Sequence, residues 1–305
     1  MALTDRSYTS GRFALDIGGI TVGYLKKFEG LDINAEVAVH DLGPDNVQKK
    51  HIAGPNKWTP GKASVGVGMG KGMYDWIRAS FEKNYHPNHG ALISADFDYK
   101  AQSRIDFEHA LITAVTIPKL GGEEKGALYM DVEFETEHAE FSRGGGEDIR
   151  GKIGPAQKQW QASNFRVEIG GMPCQNVHSV DTFSWKCAVV ADHIGASNRP
   201  TKCPAKVTVP NLKLEISMLD YQPWADFARK WFIDGERGED TDEMDGRIVF
   251  LGPDRRTELG EIILDQVGLA RFSQGTKEAN SEKIARFQVE LYVEKMTFHM
   301  SLYDA

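Results

Sequence analysis

The residues most able to do chemistry fall into four groups, and each carries a plainer reading beside the chemical one. Gly66 to Gly72 alternates glycine with Val67, Met69 and Lys71, and a lysine closing a glycine run could hold a phosphate. A phosphate loop needs Gly, four residues, then Gly-Lys-Ser/Thr, so that backbone amides wrap the phosphates. Here Val65 stands at the first glycine position and Gly72 follows Lys71, so the motif fails. The run reads instead as a glycine-bearing strand packed closely on a neighbour. His86 and His89, in H-P-N-H, have a metal-pair spacing, but Pro87 opposes a helix and no third ligand is evident. A surface turn fits better. His138, His178 and His193 are scattered, with no nucleophile beside them and no G-x-S-x-G. Asp131, Glu133, Glu135 and Glu137 repeat at period two. That spacing puts all four carboxylates on one face of a strand, which reads as a solvated face or as a functional acidic surface. No catalytic, cofactor-binding or metal site emerges, and no cofactor is expected.

The elements that carry these residues are mostly strands. Leu31, Ile33, Ala35, Val37 and Val39 alternate with Asp32, Asn34 and Glu36, the pattern of a half-buried strand. Asp41 to Trp58 follows with Gly43-Pro44, Gly54-Pro55 and several lysines, and predicts a long exposed loop. Then the period changes. Met73, Trp76, Ile77, Ser80 and Phe81 form the stripe of an amphipathic helix. Strands are expected near Ala91–Phe97, Ile105–Ile117 and Leu128–Glu137.

The second half repeats this order. F-A-L-D-I-G-G-I at Phe13–Ile20 returns as F-R-V-E-I-G-G-M at Phe165–Met172. Asp181 to Val189 alternates as a strand, Ala191 to Pro204 reads as its loop, and Lys206 to Ile216 as a strand. Trp224, Phe227, Ala228, Trp231 and Phe232 reproduce the helical stripe. Gly235 to Asp245 is an acidic insertion. Strands follow at Arg247–Leu251, Leu259–Leu269 and Arg286–Lys295. Both halves close on V-E-[FL]-x-x-E, at Val132–Glu137 and Val289–Glu294. A repeat of this length means two similar domains rather than a solenoid. The reading is residues 1–143, a linker over 144–163, and residues 164–305. Each unit is mainly β with one flanking helix, closing as a small barrel or sandwich.

Composition bounds the class. The 305 residues are 41% hydrophobic and 26% charged, with net charge −8, values of a soluble globular protein. An acidic chain without a basic run is a poor grip for nucleic acid. No stretch reaches the roughly 18 apolar residues of a membrane helix, and the first eleven residues lack the apolar core of a signal peptide. Membrane insertion is not expected, and synthesis in the cytoplasm is. Three cysteines, Cys174, Cys187 and Cys203, argue against a disulfide framework.

Taken together, each half resembles the tail tube protein family of contractile phages and injection systems. The first half carries the family's opening F-x-[LV]-[DE]-I-G-G as Phe13–Gly19, then Phe28-Glu29-Gly30-Leu31, then G-P-x-K-[WY] as Gly54–Trp58, the tryptophan-bearing helix and the closing strand. The second half departs, having no F-E-G-L after Gly171. The resemblance implies a flattened barrel with a helix on its side, six such units to a ring, and rings stacked into a hollow tube conducting DNA or effector cargo. Partners would be copies of itself, in hexameric rings or trimeric pseudo-hexameric ones, and neighbouring tube, sheath or baseplate proteins. The particle would be a virion tail or an injection particle. The two long loops would reach the next ring through Asp41, Asp45, Lys49, Lys50, Lys57, Trp58, His193 and Arg199. The face of Asp131, Glu133, Glu135 and Glu137 would line the lumen. A baseplate hub or tube-end ring, and a stand-alone ligand-binding barrel, are the alternatives.

Overall fold

The computed structural model describes residues 11–42, 47–66, 69–124, 126–150, 160–194, 199–235, 243–274 and 284–301. In the first half the chain forms β1 (Arg12–Ile17), β2 (Ile20–Leu25), β3 (Lys27–Glu29), β4 (Ile33–Leu42), β5 (Val47–Trp58), β6 (Gly61–Val65), α1 (Lys71–Phe81), β7 (Asn88–Ala95), β8 (Ala101–Ile117), β9 (Leu120–Gly121), β10 (Met130–Glu135) and β11 (His138–Arg143). In the second it forms β12 (Phe165–Ile169), β13 (Val177–Val180), β14 (Phe183–Asp192), β15 (Thr201–Thr208), β16 (Leu212–Ser217), α2 (Tyr221–Arg229), β17 (Met244–Leu251), β18 (Glu258–Ser273) and β19 (Arg286–His299). Among the described residues the protein is mainly β with two α-helices.

Both halves build a sheet in the same order. The first contains β1-β7-β8-β10-β6-β3, and the second β12-β17-β18-β19-β16-β13. The registers agree residue by residue. Val132 faces Val115 where Val289 faces Phe272, and Phe141 faces Ile105 where Phe298 faces Ile262. Even the irregularity repeats: β8 skips Thr113 between Glu133 and Phe134, and β18 skips Ala270 in the corresponding step. A bulge bends a strand and sharpens its twist, so both sheets curve at the same point.

The opening G-G motifs diverge for a readable reason. Gly18 and Gly19 both take positive φ, the two-residue turn that matches strand twist, and Ile20 to Leu25 folds back as β2 on β1. In the second half Met172 returns to Ile169 by one backbone bond of 2.9 Å. Pro173 then follows and cannot donate to a ladder, so β12 has no counterpart of β2.

The two halves also exchange strands. β14 pairs with β8 through Phe183↔Ile117, Ser184↔Thr116, Trp185↔Val115 and Lys186↔Ala114. β9 of the first half extends the second sheet by pairing with β13. One hydrophobic cluster runs through both halves, from Leu15 and Trp76 to Trp224 and Phe298.

Several expectations are corrected. Asp41–Trp58 is not a loop: most of it is β5, paired with β4 in a two-stranded hairpin. Its counterpart β15 likewise takes the end of Ala191–Pro204 into a strand. Neither strand alternates, because both faces of the arms meet solvent and the sequence has no core side to mark. For the same reason the apolar face of Leu31–Val39 is not half-buried beyond Leu31: Ile33, Val37 and Val39 are exposed. β6 stops at Val65 and α1 begins after Gly70, whose N–H bonds the Val22 carbonyl. Lys206–Ile216 breaks between β15 and β16. In the second helix the stripe fails at Phe232, which is 38% exposed. After Arg229 the helix widens into a π turn over Lys230–Asp234, rotating later side chains off the 3.6-residue period. The segment expected as linker is anchored at both ends by buried Ile149 and Trp160. Residues 151–159 and most of the acidic insertion lie outside the described residues.

Candidate assembly surface

The most developed surface is internal, where the halves meet. Phe81 at the end of α1 stacks on Trp185 of β14 at 4.7 Å, and both Phe81 and Tyr74 lie 6.1 Å from Phe298 of β19. Thr116 and Ser184 share a 2.8 Å hydrogen bond beside them. Trp185 is 1% and Phe298 0% exposed. Large aromatics contribute much of the energy of such contacts, so this seam joins the two sheets as firmly as a core.

The corresponding surface at the outer end of each half is open. Register equates Phe141 with Phe298, and Phe141 is 54% exposed. In the first hairpin Ile33 closes the ladder opposite Trp58, the end position that Lys186 opposite Thr208 holds in the second. Ile33 is 46% exposed. Phe232 follows Trp231 in the sequence as Phe81 follows Ser80, but the π turn carries it off that place and it is 38% exposed. Sequence reasoning missed this set, although Phe141 and Phe298 each stand nine residues after the valine of the closing motif.

The hairpin residues proposed to reach a neighbour are distributed along the first arm. Asp41 pairs with Gln48, Lys49 with His40, Lys50 with Val39 and Lys57 with Asn34; all are exposed. His40 and His51 stack at 4.9 Å. Asp45 lies outside the described residues. Trp58 and Arg199 are brought together: with Ile33 and Phe141 they line one groove of about 370 Å³. Trp58 packs on Phe141 at 5.6 Å and edge-on to His138, and Arg199 reaches Glu108 at 3.2 Å. His193 is exposed just past β14 and does not line that groove.

The four carboxylates do share a face of β10 and its continuation, opposite the buried Met130, Val132 and Phe134. They are not a bare acidic patch. Lys62 Nζ donates to Glu133 at 3.0 Å and sits 3.4 Å from Asp131, which also accepts from Ser64 Oγ at 2.6 Å. Glu133 is the main cause holding the Lys62 ammonium above its ordinary value. Lys202 donates to Glu135 at 2.8 Å, and its backbone N–H to Glu137 at 2.7 Å. His109 lies 2.8 Å from Glu137.

The remaining chemical candidates stay dispersed. His89 packs near His109 at 4.9 Å, His178 sits 3.7 Å from Glu123, and among the described residues no three His, Cys, Asp or Glu gather as a metal site. Burial pushes the Cys174 thiol up to about 11; all three cysteines are free. No described helix is long and apolar enough to cross a membrane. A groove of about 860 Å³ follows the β12 edge left without a β2. Arg247 donates to Glu168 at 2.6 Å and to Glu261 at 3.0 Å there, and Arg166 to Glu168 at 2.6 Å. The Arg247 hydrogen bond, ahead of Arg166, holds the Glu168 carboxyl below its ordinary value.

Residues 9–140 match the family model of the T4-like virus tail tube protein gp19. No curated protein matches the chain. Among solved structures it is similar to a chain of the PVC sheath–tube complex, an extracellular contractile injection system in the extended state. That likeness has 15% identity over 46% of this chain and 94% of the other, at a TM-score of 0.40. It is similar also to a chain of the anti-feeding prophage tube-terminating cap, with 19% identity over 47% and 99%, at 0.40. A chain of the anti-feeding prophage baseplate gives 16% identity over 48% and 95%, at 0.35.

Proposed function

We propose that the chain is a non-enzymatic structural subunit of a phage tail or contractile injection system, built into rings of a hollow inner tube that conducts DNA or effector cargo. The observation that carries this reading is the tail tube family match over residues 9–140, set on a fold whose second sheet repeats the strand order and register of the first. On this reading residues 1–143 and 164–305 are tandem tail tube domains joined by 144–163, and one chain supplies two of a ring's units.

A second reading, a baseplate hub or tube-end ring, is favoured by one observation: β14 of the second half joins the sheet of the first by pairing with β8, so the two units would be fixed side by side within a ring. The two hairpin arms would then reach the adjoining ring, and the Asp131–Glu137 face would line the lumen. Lys62 and Lys202 balance that face, leaving a wall to which neither sign of charge adheres strongly. Changing Asp131 to Asn and Glu133 and Glu135 to Gln frees both lysines. Rings should still form, while DNA or acidic cargo is delivered more slowly; unchanged delivery would remove this face from the lumen.

Negative-stain electron microscopy of the purified protein tests the main reading. Rings or tubes with a central hole are expected. Featureless particles at every concentration, alone and with tube proteins from the same particle, would contradict it.

A further inference from the structure

We propose that His89 and His109 form a two-histidine site for a divalent transition ion, with Glu137 behind His109 as its positioning carboxylate. The site does not depend on the tube reading.

His89 lies on β7 and His109 on β8, and a bulge brings them together. Asn88 faces Ala110 and Gly90 faces Phe107, so His89 alone stands against Glu108 and His109. Two residues against one is a β-bulge, a device that re-aims a side chain and recurs beside functional sites. His109 takes φ +51°, a left-handed conformation uncommon for a residue with a side chain. Such conformations persist where the surroundings impose them, and they gather at binding sites. The flanking backbone is fixed: the Gly18 N–H bonds the His89 carbonyl at 2.9 Å, and the Glu137 N–H bonds the Glu108 carbonyl at 3.2 Å.

Glu137 selects which nitrogen of His109 is left to bind. Its carboxylate lies 2.8 Å from His109 Nδ1 and also accepts the Lys202 N–H at 2.7 Å. A carboxylate accepts, so Nδ1 carries the proton and the lone pair is left on Nε2. A carboxylate behind the ring is the usual support of a metal-binding histidine. The ring centroids of His89 and His109 are 4.9 Å apart, with planes inclined by 57°. Two imidazole nitrogens about 2.0–2.1 Å from one ion put each centroid about 3.2 Å from it, and the centroids about 4.5–5.2 Å apart for right-angled to tetrahedral bonding. The observed spacing falls inside that range. His40 and His51 have the same spacing, but their planes differ by only 5°. Parallel rings send their lone pairs side by side, whereas inclined rings can converge on one point.

Imidazole suits zinc, copper and nickel rather than magnesium or calcium. The neighbouring Glu108 is engaged by Arg199 at 3.2 Å, so solvent would fill the remaining coordination positions. Both histidines are exposed, which lets the ion enter. Bound there, it would tie β7 to β8 at the bulge.

Calorimetric titration of the untagged full chain with nickel chloride tests the site. The parent carries Cys203→Ser and His40→Ala, which remove the exposed thiol and the parallel histidine pair. His89→Ala and His109→Ala should each weaken nickel binding roughly tenfold or more, and Glu137→Gln by about 10–100-fold, measured well below its melting temperature. His86→Ala should bind as the parent does. Nickel should raise the melting temperature of the parent and leave that of His89→Ala where it was. A parent that takes up no nickel at millimolar concentration, or binding that survives in both His89→Ala and His109→Ala, would overturn the site. Full affinity in Glu137→Gln would overturn the positioning role.

Discussion

Trp185 and Ile33 are both apolar residues at the start of a hairpin arm, yet Trp185 is the centre of a seam and Ile33 lies open. That contrast predicts opposite mutational costs. Removing the Trp185 ring leaves a cavity against Phe81 and should cost about 3–5 kcal/mol. Ile33→Ala should stay within about 0.5 kcal/mol in the unassembled chain. Urea unfolding of both variants, below the concentration at which rings form, checks the pair; equal losses would contradict the difference in burial. Little of this was legible in the residues themselves. Both read as apolar positions of alternating strands, and alternation tells that a face is apolar without telling which surface covers it. The four-carboxylate face was legible, because period two dictates a shared side, but Lys62 and Lys202 come from strands distant in sequence and only the fold brings them there.

Elements with a covered side were read well, and elements without one were not. The helix over Met73–Phe81 and the strand ending at Glu137 stand against the core, and hydrophobic period marks them. β5 and β15 have solvent on both faces and carry Gly54-Pro55 or Pro204, so they read as loops. The π turn after α2 left no sequence signal, and it displaced Phe232 from the stripe. Gly30, in the F-E-G-L passage, shows why a short motif can be strict. Its φ is +91°, and a Cβ there would fall 1.9 Å from the Pro60 carbonyl oxygen. Gly30→Ala should therefore lose more than about 1 kcal/mol, through strain and through displacement of the strand pair β3–β6. A thermal melt unchanged from the wild type would contradict this.

For the whole molecule, charge pairs set the acid limit. Arg247 and Arg166 lower the folded pKa of Glu168, and the Arg150 backbone N–H and guanidinium hold Asp148 down to about 2. A carboxylate with a depressed folded pKa contributes stability fully present above its unfolded pKa, here 4.5 for Glu168 and 3.8 for Asp148. That contribution is lost as pH falls through the folded pKa. Stability should thus decline from about pH 4.5 downward, and Glu168→Gln should make the decline shallower. These groups are substantially exposed, so the effect is modest; denaturant midpoints at pH 7 and pH 3.5 measure it, and an equal slope in the variant would argue against it. At this scale the repeated strand order was legible from two short motifs, because equal order in both halves needs no knowledge of contacts. The pairing of β14 with the first half's sheet was not, since strand pairing across the halves leaves no local pattern. The central claim, that one chain is two units of a ring, is tested most directly by native mass spectrometry of the assembled particle. The account predicts a species of three chains of 33.9 kDa each, or stacks in multiples of three. A particle of six chains in a single ring, or a strict monomer at every concentration, would contradict it.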